Sequence, residues 1–523
     1  MKDLNIRNLT ICAAVISMGL TGCSTTLKPI PMAQQMQLLA LDRMDAQKDV
    51  EAVGEMLTLN EAVARGLKYN LDHRSKMLEQ AIALGVYDLS KFDMLPKVIA
   101  SAGYNYRNND FITTATNART HTPSLTDPYV SSARQSSQYG LALNWSILDF
   151  GVSYYNARQN SDRIIVASER RRRTMHVLIQ DVQSAYLRAA ASQKLKNDIQ
   201  STVFDATEAL ERSRKGETLG LKSPLDALKY QKTLLDNIKI LTMIDQELST
   251  ARVELNQLIN LPAKSSFKLE DPEGIAAPNS YTNAQVEDFE LRAMMENADL
   301  KESIYNARIA VEETHKSMLR LFPGLTFNVG PQHSTNSHYI NKDWIESSAN
   351  ISFNLWNLLS APTAIKSAKQ NKELAAQKRM MMQMAIVSQV HLSKIQLTNS
   401  NKNYQQSSQI DSVDGRIANI TSQKFQQGKA SEADKVAANS SYIVSKLRKY
   451  QALSQLFAAS GKMQATTGLE PRFGSVDDLS LRELTSKVDE TFKAWNSGNL
   501  LEIPATVTSV DDSVKASADT KSE

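Results

Sequence analysis

Few residues in this chain could carry chemistry, and each reads better as structure than as a reacting group. His333 and His338 stand five apart and could offer two imidazoles to a metal, but no cysteine or clustered carboxylate joins them, so they read as a solvated loop. Gly428-Lys429 invites a phosphate loop, yet position 423 is Gln where that motif needs glycine, and Ala430 replaces its Ser or Thr. The block Glu169-Arg170-Arg171-Arg172-Arg173 is most simply exposed charge paired with neighbouring acids. No Ser/His/Asp or Cys/His arrangement has workable spacing. The sequence therefore predicts no catalysis and no cofactor. A net charge of +4, from 60 basic and 56 acidic residues, argues against a nucleic-acid partner.

The N-terminus reads as a processing signal. Lys2 and Arg7 precede an apolar run, Ile11 to Leu20, which is too short to span a bilayer and closes with Leu20-Thr21-Gly22-Cys23. That tetrapeptide resembles a bacterial lipobox, so residues 1–22 are expected to be removed and Cys23 to be lipidated at the head of a segment 23–57. Ser24 after the cysteine favours outer-membrane delivery. Cys12 leaves with the signal, and the mature chain then has no disulfide and no thiolate metal site. No later apolar run reaches the ~18 residues of a membrane helix. A membrane-spanning part must then be a β-barrel.

The elements repeat. Asn70 and Pro96 are 26 residues apart, and Asn297 and Pro323 repeat that spacing, with Gly103 and Gly330 at the same offset of 227. A second register with an offset of 208 pairs Trp145 with Phe353, Asp149 with Asn357, Val182 with Val390, Gly220 with Gly428, Asp226 with Asp434 and Leu261 with Leu469. A unit this long is a duplicated helix–hairpin–helix module, far beyond the size of a solenoid repeat.

Within each module the period changes as the chain proceeds. Thr58-Leu59-Asn60-Glu61 opens a helix that is expected to run to Leu95, before Pro96. Period 2 then takes over. Val98, Ala100, Ala102, Tyr104 and Tyr106 alternate with polar or small residues, and Tyr139, Leu141, Leu143, Trp145 and Ile147 do so more cleanly on the return. The strands are placed at about 97–107, 136–148, 324–333 and 345–356, with Tyr139, Leu141, Leu143, Trp145 and Phe353 on an apolar, lipid-directed face. Polar loops join them, Arg107 to Arg134 and about Pro331 to Asp343. Long helices follow, Tyr154 to about Arg214 and Thr363 to about Gln427, and a narrow seam (Leu178, Val182, Ala185, Ala189, Ile199, Val203, Ala206, Leu210) predicts coiled-coil-like packing. The chain turns at Gly220 and Gly428 and returns as Pro224 to Leu261 and Glu432 to Leu469. Repeats at 58–262 and 285–471, a linker at 263–284, and a 472–523 extension with a solvated, disordered end complete the plan. The fold class is mainly α with a small β part.

Four strands cannot close a barrel, for which about eight are the practical minimum. Symmetric association is the simplest remedy, and three copies would supply twelve strands.

Five segments carry a resemblance: the helix–proline–strand junctions Leu95-Pro96 and Phe322-Pro323, the strand exit Trp145-Ser-Ile-Leu-Asp-Phe-Gly151, and the tip turns Gly220-Leu-Lys-Ser-Pro-Leu-Asp226 and Gly428-Lys-Ala-Ser-Glu-Ala-Asp434. Over about Leu57 to Pro471 the chain resembles the outer-membrane efflux factors, the TolC-like family. The resemblance implies a homotrimer with a twelve-stranded outer-membrane β-barrel and a periplasmic α-barrel of coiled-coil helices. It implies tips (Gly220, Leu221, Ser223, Asp226, Phe425, Gly428, Ser431, Asp434) that dock a periplasmic adaptor, itself linked to an inner-membrane pump or ABC exporter. The implied function is a passive exit duct for tripartite efflux or type I secretion. A periplasmic coiled-coil scaffold without a pore is the alternative. The family's hydrogen-bonded latch does not carry over, because its Tyr and Arg positions are Phe425 and Ala430 here, and its second carboxylate ring falls at Ala437. Leu359 stands where Gly151 would recur. Asp226 and Asp434 suit a helix N-terminus. Three copies of Asp434 are also expected to ring the narrowest point of the tunnel and attract cations.

Overall fold

The computed structural model describes residues 29–497 except 115, 124–128, 220–222, 266, 279–280, 282–283, 470–472 and 474–475. The expected signal, Cys23 and the tail end lie outside the described residues, as do Gly220 and Leu221. Residues 29–52 belong to a unit of their own, whose helix α1 (Met32–Gln47) buries none of its residues. The second unit begins at Val53.

That unit runs β1 (Met56–Leu57), α2 (Leu59–Tyr69), α3 (Leu71–Phe92), β2 (Lys97–Tyr106), β3 (Phe111–Thr113), β4 (Tyr129–Ser132), β5 (Gln135–Ser146), α4 (Ile147–Thr218) and α5 (Pro224–Leu258). A linker carrying β6 (Lys268–Leu269), parallel to β1, leads to α6 (Val286–Glu296), α7 (Ala298–Leu319), β7 (Gly324–Ser334), β8 (Asp343–Ser352), α8 (Trp356–Gln426) and α9 (Glu432–Thr467). The extension adds α10 (Leu481–Asn496). Among the described residues, no helix is long and apolar enough to cross a membrane.

The helix expected from Leu59 to Leu95 is two helices. At Asn70 the backbone leaves the helical region (φ −63°, ψ 125°), and the Asn70 side chain accepts from the His73 amide at 3.1 Å while donating to the Leu258 carbonyl at 3.0 Å. Asn297 does the same in the second repeat, accepting from Leu300 at 2.9 Å and donating to Thr466 at 2.9 Å. A carboxamide has the donor and the acceptor to cap one helix and hold the end of another. The asparagines that mark the repeat are thus joints between helices.

The two hairpins make one antiparallel sheet in the order β2-β5-β7-β8. Each strand continues a helix, so α3–β2, β5–α4, α7–β7 and β8–α8 form four columns. The helices keep the same order as the strands, with α4 packed on α3 and α7, and α7 on α8. Lower down, α5 and α9 take the places of α3 and α7 beside the long helices. Both outer columns are open on one side. Leu78, Ile82, Leu89 and Phe92 of α3 are exposed, and so are Leu374, Met381, Met384 and Leu392 of α8.

The long helices begin earlier than the sequence suggests. Pro362 therefore lies inside α8, where it can give no N–H to the Leu358 carbonyl. Gly151 lies in the first turns of α4, and a Cβ there would come within 2.5 Å of Leu319 on α7. Leu359, its counterpart, faces no such neighbour and is 73% exposed. The alanine-rich seam is buried, with Val182, Ala185, Ala189 and Ala206 at 1% exposure or less. Clusters around Leu195 and Leu241 and around Ala206 and Leu234 join α4, α5 and α9. Helix α10 packs on α2, burying Leu481, Leu484, Val488 and Trp495, with Asn60 donating to Asp489 at 3.0 Å.

Candidate functional site

Register, rather than composition, sorts the sheet into two faces, because residues directly opposite one another share a face. One face carries the rows Ala102–Tyr139–His333–Asp343, Val98–Leu143–Val329–Ser347 and Trp145–Phe327–Ala349. Leu141 and Ile345 lie between the first two rows. The other face carries Lys97–Asn144–Asn328–Ser348 and Ser101–Gly140–Gln332–Trp344. Asn144 donates to Asn328, which donates in turn to Ser348 at 3.4 Å. The apolar face is exposed, Ile345 and Ile351 at 77% and 76%. Aromatic side chains mark its two ends, Tyr104, Tyr106 and Tyr139 at one and Trp145 and Phe327 at the other.

Three sequence expectations change here. Strand β8 ends at Ser352, so Phe353 lies just beyond it and is half-buried, unlike Tyr139, Leu141, Leu143 and Trp145, which lie in β5. The chain is already turning there, with the Asn354 side chain accepting from the Trp356 amide at 3.1 Å as α8 starts. His333 is in strand β7, as the expected strand 324–333 has it, and not in the solvated loop. Its Nδ1 lies 2.7 Å from Asp343, and its ring stacks on Tyr139 with centroids 6.1 Å apart. It does not converge with His338, whose Nδ1 is 3.4 Å from Ser337 Oγ. The loop 107–134 contains a ribbon, β3 paired with β4, tied to the second loop through Asn336. Buried to 3% exposure, Asn336 accepts from the Ala133 amide and donates to Ser132, both at 3.0 Å.

Gly330 sits where β5 and β7 join the repeats. A Cβ at this position would lie 1.7 Å from the Leu141 carbonyl oxygen, a contact only glycine permits. Pro331 beside it has no N–H for the ladder, and the β5–β7 pairing skips from Gly140↔Gln332 to Leu143↔Val329. Gly103, its repeat partner by sequence, has nothing within 4 Å of a Cβ.

The tips are not equivalent. Gly428 adopts φ +71° and donates to Phe425 at 2.9 Å, while Lys429 donates to Lys424 at 2.8 Å, the two-bond closure of a helix on a left-handed glycine. Ser431 then starts α9 with a capping box. Its Oγ accepts from the Asp434 amide at 3.2 Å, and the Asp434 carboxylate accepts from the Ser431 amide at 3.1 Å. The Ser431 hydroxyl, with its amide, holds the Asp434 carboxyl below the usual range. The turn leans on α4. Glu432 pairs with Arg212, Asp205 with Lys435 at 2.8 Å, and the Lys435 ammonium lies 5.4 Å from the Phe425 ring centre. At the first tip Ser223 makes no cap hydrogen bond and Asp226 is exposed. The sequence missed this difference, since both tips read as Ser followed by Asp three residues on.

Three arginines of the basic block are paired. Arg170 meets Glu302 at 2.7 Å, Arg173 meets Asp299 at 3.0 Å, and Arg172 reaches Glu169 and, at 3.0 Å, the Glu296 carbonyl.

Residues 67–261 match the model of a family described as outer membrane efflux protein. No curated protein sequence matches the chain. Among solved structures, the Campylobacter jejuni CmeC outer membrane channel is 13% identical, with 85% of this chain and 90% of that one covered and a TM-score of 0.59. The Neisseria gonorrhoeae MtrE outer membrane channel is also 13% identical, covering 82% and 96% at a TM-score of 0.57. The outer-membrane channel OprN is 14% identical, covering 78% and 89% at 0.58. At such identities the fold is what is shared.

Proposed function

We propose that this chain, whose residues 67–261 carry the outer membrane efflux protein signature and whose fold is TolC-like, is one protomer of a passive exit duct through the outer membrane. The observation that carries this reading is the two-faced sheet with open edges β2 and β8, continued column by column into helices that are also open at both sides. Copies joined β8 to β2 would cover both edges, and three of them would close twelve strands into a barrel. The Leu141–Leu143 face then meets lipid, and the Asn144–Asn328–Ser348 face lines a polar lumen. The exposed stripes of α3 and α8 meet across the same junction, and the helices extend the lumen into the periplasm.

The tips at Ser223–Asp226 and Phe425–Asp434 would dock a periplasmic adaptor, and an inner-membrane pump or ABC exporter would supply the energy for tripartite efflux or type I secretion. Lipid on Cys23 would add an anchor. Because Asp434 is committed to capping α9, a role in a cation-attracting ring is secondary to it. A pore-free scaffold is disfavoured, since it would leave the apolar sheet face in water.

Purified protein in planar bilayers tests the reading. Stepwise single-channel conductance from a species of three copies is the expected result. A folded oligomer that never conducts would leave the scaffold standing.

A further inference from the structure

Near the sheet, most cations of one long helix meet acids and those of the other do not. On α4, Arg158 meets Glu312 at 2.9 Å, Arg170 meets Glu302 at 2.7 Å and Arg173 meets Asp299 at 3.0 Å, all three acids lying on α7. Glu313 of α7 is held by Lys316 of its own helix at 2.5 Å. Helix α7, which lies between the long helices, therefore directs its acids toward α4. From Trp356 to Ile410, α8 carries Lys366, Lys369, Lys372, Lys378, Arg379, Lys394 and Lys402, with Glu373 as its one acid. Among the described residues Lys366, Lys369, Lys372 and Glu373 are exposed and make no ion pair.

The helix repeat fixes where the three lysines point. Ala368 and Ile386 are both buried and 18 residues apart, five helical turns, so the packed face keeps one direction along α8. At ~100° per residue, Lys372, Lys369 and Lys366 lie about 40°, 100° and 160° to one side of Ala368. Lys394 and His391 fall on that same side lower down. There Lys394 donates to the Ala284 carbonyl of the linker at 3.3 Å, and His391 lies 2.5 Å from Glu290 of α6. Linker and α6 thus cover this side below. Between them and the sheet nothing among the described residues covers it.

We infer that the Lys366–Lys369–Lys372 stripe docks the carboxylate-bearing glycopeptide polymer of the periplasmic cell wall. This rests on the outer-membrane reading above. Lipid headgroups fit poorly. Lys366 and Lys372 lie ten and sixteen residues into α8, roughly 15 and 24 Å along the helix, whereas the headgroup layer is only about 5–8 Å deep. A second copy reaches only Lys366, which points the same way as Met384 of the junction stripe 18 residues on, and leaves Lys369 and Lys372, about 60° and 120° further round, uncovered. It would present α3, whose Glu79 and Asp88 are already held by Lys76 and Lys91 at 2.7 and 2.8 Å. Three ammonium groups along ~9 Å of helix suit a polymer that repeats its carboxylates, through contacts that salt screens.

Co-sedimentation of the detergent-solubilised oligomer with purified peptidoglycan sacculi tests this. Wild type should pellet at low salt and be released as salt rises. The variant Lys366→Gln/Lys369→Gln/Lys372→Gln should bind about tenfold more weakly, each surface contact being worth roughly twofold to fivefold. Sacculi with amidated carboxylates should fail to retain wild type. Equal pelleting of variant and wild type, or retention by amidated sacculi, overturns the proposal. So does a variant that loses binding only to anionic vesicles, which would make lipid the occupant, or one whose oligomer dissociates, which would make it a second copy. Conductance of the wild type is scored separately. If it is absent, the duct reading fails whatever the sacculi do.

Discussion

Gly330→Ala and Gly103→Ala make the same chemical change at positions the sequence pairs as equivalents, yet the structure expects opposite outcomes. At Gly330 the new methyl would start 1.7 Å from the Leu141 carbonyl oxygen, and real Cβ contacts essentially never fall under 3.0 Å, so backbone must move by at least the difference, 1.3 Å. No side chain can yield instead, because the obstacle is main chain of the neighbouring strand. A shift of that size stretches hydrogen bonds of ~2.9 Å beyond ~4 Å, and the flanking pairs Gly140↔Gln332 and Leu143↔Val329 are closest to it. Losing about two such bonds at ~1 kcal/mol each, with ~1–3 kcal/mol of overpacking strain, costs about 3–5 kcal/mol. At Gly103 nothing lies within 4 Å, and removing glycine's unfolded-state freedom is neutral or stabilising by up to ~1 kcal/mol. The assay is the guanidinium midpoint of the purified oligomer, with the yield of heat-modifiable oligomer from outer membranes alongside it. Gly330→Ala should lower both sharply, and Gly103→Ala should match wild type. Equal losses in the two variants would refute the β5–β7 junction as described.

Three further outcomes follow from the same structure. Leu143→Arg, between Val98 and Val329 on the apolar face, should cost ~2–4 kcal/mol near a bilayer midplane and abolish membrane assembly; heat-modifiable oligomers at wild-type yield would show the face to be misassigned. Ser431→Ala should cost ~1 kcal/mol by removing the α9 cap, while Ser223→Ala, which removes no cap bond, should leave the thermal midpoint unchanged. Because folded Asp434 titrates below its unfolded value, its share of that stability is full above the unfolded carboxyl range and disappears as pH falls through the folded value, so the gap between wild type and Ser431→Ala should narrow in strong acid, leaving the part due to the Asp434 amide bond. Asn336→Ala leaves the Ala133 amide unpaired, a penalty of ~1–3 kcal/mol, and should speed proteolysis within 107–134 several-fold with no change in oligomer yield; unchanged cleavage would mean the ribbon is held elsewhere.

The sequence alone settled what depends on periodicity and punctuation. The period of 2 after Pro96, the three- and four-residue steps from Leu178 to Leu210, and the doubling of both at fixed offsets are properties of neighbours along the chain, so they survive in one dimension. They gave a mainly helical fold with two hairpins, and with it the family resemblance. The acid partners of Arg170 and Arg173 were anticipated in kind, since a charged block on a long helix must meet counter-charge or water.

Only the tertiary structure decided which equivalent residues are equivalent in fact. Asn70 breaks a helix that its local sequence would continue, because the Leu258 carbonyl, 188 residues away, is there to accept its amide. Gly330 and Gly103 share a place in the repeat but not a neighbour, since β7 lies inside the sheet and β2 at its edge. Phe353 repeats Trp145 by offset yet falls outside its strand. Ser431 and Ser223 repeat one another, and only Ser431 caps. Duplication copies residue types and spacing, whereas the two copies of each element meet different partners once folded. Contacts between distant segments follow the partner, and no periodicity within one segment records them.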